Sequence, residues 1–88
     1  MNNRTYRIII EPDGNGFHGY VPALRGCHTW GKTIPETKRH LREAMELFIE
    51  SLLAYDEPIP PDESFESFET IAVKTPVRRT RASSRQYA

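Results

Sequence analysis

The chain contains a single cysteine, Cys27, so an internal disulfide is excluded and a reducing compartment fits. No apolar run approaches membrane-spanning length, and the opening residues MNNRTYRIII lack an apolar signal core. A soluble, cytoplasmic protein is expected, with no membrane partner. No internal repeat is visible, and 88 residues suffice for one small domain. Such a domain buries a modest core and often gains stability by self-association.

Formal net charge is zero, but the total hides an asymmetry. Residues 74–88 carry Lys74, Arg78, Arg79, Arg81 and Arg85 and no acid. Residues 1–73 hold seven basic and twelve acidic side chains, and none of the basic ones lies between Glu50 and Glu69. An acidic body thus carries a basic tail. Residues 1–74 are expected as the domain and 75–88 as a basic, flexible extension.

Local patterns give an element order. TYRIIIE has a strand composition, with Tyr6, Ile8 and Ile10 on one face and Ile9 on the other. PDGNG supplies turn chemistry, and FHGYV reads as a returning strand, so residues 5–21 are expected as a hairpin. Pro22 marks a strand end, Gly26 opens a turn into a short strand CHTW, and Gly31 closes it. Thr33 and Glu36 stand at capping-box spacing, with Pro35 in the first turn. A helix to about Tyr55 follows, its apolar stripe drawn by Ile34, Leu41, Ala44, Met45, Phe48, Leu52 and Leu53. After the acidic, proline-containing loop, ETIAVKT alternates Ile71 and Val73 and is expected as a last strand. The fold class is α+β, a two-layer β-β-β-α-β domain whose helix covers one face of a small antiparallel sheet.

The run GYVPALRGCHTWGKT, followed by ETKRHLREAM, resembles the HicB-like antitoxin family of HicA–HicB toxin–antitoxin pairs. The carriers are Gly19, Tyr20, Pro22, Leu24, Gly26, Cys27, Thr29, Gly31, Thr33 and Glu36. Ala23, Arg25 and Thr37 depart from the family pattern of acid, proline and alanine. The resemblance implies a truncated RNase H-like fold with no catalysis of its own. It implies a protein partner, a small basic HicA-type ribonuclease toxin that cleaves mRNA, neutralised by masking of its active site and RNA surface. It also implies that Pro22, Gly26, Cys27, Gly31, Thr33 and Glu36 are structural.

Catalysis has little else to stand on. Cys27 and His28 are neighbours in a strand, so their side chains point to opposite faces and share no proton. His18, His28 and His40 show no close ligand spacing, and no metal or other cofactor is expected. The acids that a two-metal nuclease would need do not converge. The acidic stretch, with Asp56, Glu57, Asp62 and Glu63, reads either as a solvated face or as a mimic of RNA for a basic partner. Trp30 is an aromatic anchor for that partner if exposed, and core if it lies under the helix. Arg78, Arg79, Arg81 and Arg85 read either as a solubilising end or as a sequence-independent grip on DNA or RNA phosphates. That last reading makes a nucleic-acid-binding regulator the alternative function. Ile9 and Tyr20 share the sheet face away from the helix, which motivates a homodimer.

Overall fold

The computed structural model describes residues 3–75. Three antiparallel strands are followed by one helix: β1 (Ile9–Asp13), β2 (Gly16–Tyr20), β3 (His28–Gly31) and α1 (Ile34–Ala54), with sheet order β1-β2-β3. The α+β class and the hairpin stand as expected. The first strand begins later than the β-rich composition suggested, and residues 5–8 lead into it outside the ladder.

The hairpin turns on two residues, since Asp13 pairs with Gly16. Gly14 has φ +65° while Asn15 stays at negative φ, the pattern of a II′ turn with glycine first. Gly16 needs no unusual φ. It is glycine because a Cβ there would lie 2.1 Å from the Trp30 ring.

Residues 21–27 make two successive tight turns. The Leu24 N–H donates to the Val21 carbonyl, the Cys27 N–H to the Leu24 carbonyl, and the Val21 N–H to the Cys27 carbonyl, at 3.0–3.1 Å. This three-residue step turns Val21, Leu24 and Cys27 to the same side, where they and Leu41 form the core at 4% exposure or less. Full burial of each leucine contributes about 1.5–3 kcal/mol. Gly26, at φ +89°, permits the second reversal.

The helix crosses the sheet over its glycines. A Cβ on Gly19 would sit 2.9 Å from Thr37 Cγ2, and one on Gly31 2.7 Å from the Thr37 backbone nitrogen. Thr37 is fully buried, and its hydroxyl donates to the Thr33 carbonyl at 2.7 Å. The cap forms with a shifted second arm. Thr33 Oγ1 accepts from the Glu36 N–H at 3.1 Å, while the Glu36 carboxylate accepts from the Lys32 N–H at 3.3 Å rather than from Thr33. Ala44, Met45, Phe48 and Ile49 pack against the core together with Tyr6 and Ile8.

Two expected stripe members lie outside it. Leu53 is 61% exposed because twelve residues of helix place it about 120° around the axis from Leu41. Ile34, in the first turn, is half-exposed although its azimuth matches Leu41. The helix ends in a Schellman motif: the Asp56 N–H donates to the Leu53 carbonyl and the Glu57 N–H to the Leu52 carbonyl. Asp56 takes the left-handed position, at φ +57°, that glycine usually fills.

The expected last strand is a correction. Residues 57–75 contain no strand, and Ile71 and Val73 are each 78% exposed. The chain ahead of the expected strand is held to residues 6–7 by bonds at Pro60 and Asp62 rather than by a backbone ladder, and residues 69–75 join no edge of the β1-β2-β3 sheet. Among the described residues no helix is long and apolar enough to cross a membrane. The tail arginines Arg78, Arg79, Arg81 and Arg85 lie outside the described residues.

Candidate functional site

Strand alternation divides the sheet into two faces. One carries Gly19 and Gly31 and takes the helix. The other is open, and the register sets its side chains: Ile9 opposite Tyr20, Glu11 opposite His18, His18 opposite Trp30 and Tyr20 opposite His28. Ile9, Tyr20 and Trp30 therefore share this face.

Trp30 is 40% exposed and does not lie under the helix. Its ring covers Gly16, and its indole Nε1–H donates to the Asp13 carbonyl at 3.3 Å, which ties β3 to the hairpin end. The backbone carbonyl of Trp30 accepts from His40 Nδ1 at 3.0 Å, and His40 Nε2 lies 3.7 Å from Glu36. The indole thus presents a held, half-open aromatic surface.

Beside it, His18 stacks on Tyr20 with ring centres 5.6 Å apart. His18 Nε2 lies 3.3 Å from His28 Nδ1. The pair borders a shallow groove of about 480 Å³ whose lining includes Tyr20, Pro22 and Gly26. Cys27 faces the other way: it is 4% exposed, and burial raises its thiol pKa above the ordinary value. Cys27 and His28 therefore form no nucleophile–base pair. Pro22, Gly26, Gly31, Thr33 and Glu36 all act in turns, close packing or the cap.

The acids read as a solvated face or a partner surface sit in different local settings. Asp56 is the helix C′ residue, and the Glu57 N–H completes the same motif. Asp62 is tied to the chain itself: its carboxylate accepts from the Arg7 N–H at 2.6 Å and from both the N–H and the hydroxyl of Ser64. The Ser64 hydroxyl, then the Arg7 and Ser64 amides, lower its pKa to about 2. Arg7 Nε also donates to Ser64 Oγ at 3.2 Å and lies 3.9 Å from Glu66. Tyr6 donates its hydroxyl to the Pro60 carbonyl. Residues 60–66 are thus strapped to residues 6–7. Glu57 and Glu63 stay exposed. Along the strap and the chain that continues it to residue 75, Phe65, Phe68, Ile71 and Val73 are 78–88% exposed.

The strap was missed in the sequence, although the Asp62-x-Ser64 spacing is that of a local Asx turn. The proximity of His18 and His28 was missed because it follows from the β2–β3 register.

The model for the "HicB_like antitoxin of bacterial toxin-antitoxin system" family matches residues 6–74. The UPF0150 protein ssr1765 of Synechocystis is 39% identical over 60 residues, which covers 67% of this chain and 76% of that protein. The UPF0150 protein Ta0767 of Thermoplasma acidophilum is 44% identical over 62 residues, covering 69% of this chain and 90% of that one. Among solved structures, a chain of a HicA3 and HicB3 toxin-antitoxin complex is similar at 33% identity and a TM-score of 0.59, covering 67% of this chain and 70% of that chain.

Proposed function

The chain belongs to the HicB-like antitoxin family, and from that premise we propose that it binds and neutralises a small HicA-type ribonuclease toxin without catalysing a reaction. The observation that carries this reading is its likeness, at 33% identity, to a chain solved in a toxin–antitoxin complex. Neutralisation on this reading is masking: the antitoxin occludes the toxin's active site and RNA surface.

Two features suit that task. The open face offers Trp30 as an aromatic anchor, the residue type that carries most binding energy at interfaces. The exposed carboxylates of Glu57 and Glu63 supply negative charge for a basic partner, which speeds encounter and disfavours wrong partners. Asp56 and Asp62 support this surface mainly by shaping the chain that presents it. Among the described residues Phe65, Phe68, Ile71 and Val73 are exposed, and such apolar surface favours self-association of the antitoxin.

The test is co-expression with a HicA-type toxin from the same genome. Growth rescue, co-purification and loss of RNA cleavage in vitro are expected. Trp30→Ala should weaken the complex by about 2 kcal/mol or more, with circular dichroism checking that the domain stays folded after loss of the Asp13 bond. A purified pair that forms no complex and cleaves RNA at an unchanged rate would overturn the reading.

A further inference from the structure

We propose that His18 and His28 form a two-imidazole chelate for a tetrahedrally coordinated divalent metal ion such as Zn²⁺ on the open face of the sheet. This inference does not rest on the antitoxin reading. It rests on how two side chains ten residues apart in sequence are set by the β2–β3 register.

His18 pairs with Trp30 and His28 with Tyr20, so the two histidines are diagonal neighbours on one face. Their facing nitrogens, His18 Nε2 and His28 Nδ1, are 3.3 Å apart. Zn–N bonds of about 2.0–2.1 Å at the tetrahedral angle place two ligand nitrogens about 3.3–3.4 Å apart. A right-angled, square-planar arrangement with similar bonds would need about 2.9 Å. The observed separation lies closer to the tetrahedral value than to the square-planar one.

The ring positions agree independently. An imidazole nitrogen lies about 1.15 Å from its ring centre, so two rings aimed at one tetrahedral ion have centres about 5.2 Å apart. Two rings joined by a straight N–H···N bond of the same nitrogen separation would have centres about 5.6 Å apart. The observed centres are 5.2 Å apart, with the ring planes at 61°. Both distances fit nitrogens converging on a point between and beside them.

The surroundings fit a partly open site. Tyr20 stacks against the His18 ring and limits its rotation. Glu11 is the register partner of His18 on β1 and lies on the same face. Among the described residues no three His, Cys, Asp or Glu side chains converge. The protein thus supplies two ligands, and the other two tetrahedral positions go to water or to a ligand entering along the adjoining groove. The chain has only three histidines and one buried cysteine, so the assignment can be tested cleanly by substitution.

The experiment uses the untagged full chain, without toxin, so its failure would leave the antitoxin reading untouched. Zn²⁺ is titrated calorimetrically, and Co²⁺ serves as a visible probe of geometry. The expected result is one ion per chain and the intense visible bands of four-coordinate cobalt. His18→Ala and His28→Ala should each weaken Zn²⁺ binding about tenfold or more, with His40→Ala unchanged. Circular dichroism confirms folding, and the exposed position permits His28→Gln should His18→Ala fail to fold. Absence of binding, a weak six-coordinate cobalt spectrum, or affinity unmoved by both His28 variants would overturn the proposal and leave a plain imidazole–imidazole hydrogen bond.

Discussion

The turns at 21–27 and the strap at 57–75 both look like irregular connections, yet they treat their apolar side chains in opposite ways. Val21, Leu24 and Cys27 are at most 4% exposed, while Phe65, Phe68, Ile71 and Val73 are at least 78% exposed. In the first segment, backbone bonds at every third residue turn successive side chains the same way, and the helix arrives to cover them. In the second, the tether to residues 6–7 is made by bonds at Pro60 and Asp62, and among the described residues nothing covers its apolar side chains. The difference teaches that core membership here is a matter of backbone reversal and cover. Hydrophobicity alone does not decide it.

The sharpest way to break that comparison is truncation on each side of it. Leu24→Ala and Leu41→Ala should each cost about 2–5 kcal/mol in urea unfolding. Phe68→Ala, measured at concentrations where the chain is monomeric, should cost less than about 0.5 kcal/mol. Equal losses would mean that the strap packs on the domain in solution.

The next largest effect probes the cover. Gly31→Ala drives a methyl group into the backbone of Thr37, and overpacking of this kind should cost about 1–3 kcal/mol. An unchanged midpoint would show the helix standing farther from the sheet. Thr33→Ala removes the hydroxyl that accepts the Glu36 N–H and should cost about 1 kcal/mol. A Thr33→Ser control should recover most of it.

The legible part of the molecule was the part governed by local rules. Thr33, Pro35 and Glu36 located the helix start, and Gly14 the hairpin turn, because caps and turns need particular residue types at fixed offsets. The opposed faces of Cys27 and His28 followed from strand alternation alone. What could not be read depended on contacts distant in sequence. Ile71 and Val73 alternate as a strand should, but a strand also needs an edge to join, and pattern says nothing of that. Asp56 reads as one acid among several, while its role is a left-handed cap. Trp30 could be placed on the open face only once its pairing with His18 was known. The site was least legible because the register of β2 against β3 creates it.

The smallest expected effect concerns how the strap is held. Asp62 has its pKa lowered to about 2 from 3.8, first by the Ser64 hydroxyl and then by the Arg7 and Ser64 amides. A carboxyl group depressed in the folded state contributes stability that is fully present above its unfolded pKa and is lost as pH falls through the folded one. The tether should therefore stay intact down to about pH 3.8 and weaken between there and about pH 2. The group is too exposed for a large change in global stability, so the readout is local. The Arg7 amide resonance should titrate with a midpoint near 2, and the Asp62 carboxyl carbon with it, while far-ultraviolet circular dichroism checks that the domain remains folded. Ser64→Ala should raise that midpoint toward 3.8, because it removes the largest cause of the shift. Asp62→Asn should abolish the titration at Arg7. A wild-type midpoint at or above 3.8 would mean that the carboxylate is free in solution. The strap would then have no anchor at Arg7, and the contrast between the buried turns and the exposed segment would be one between a fixed region and a loose one.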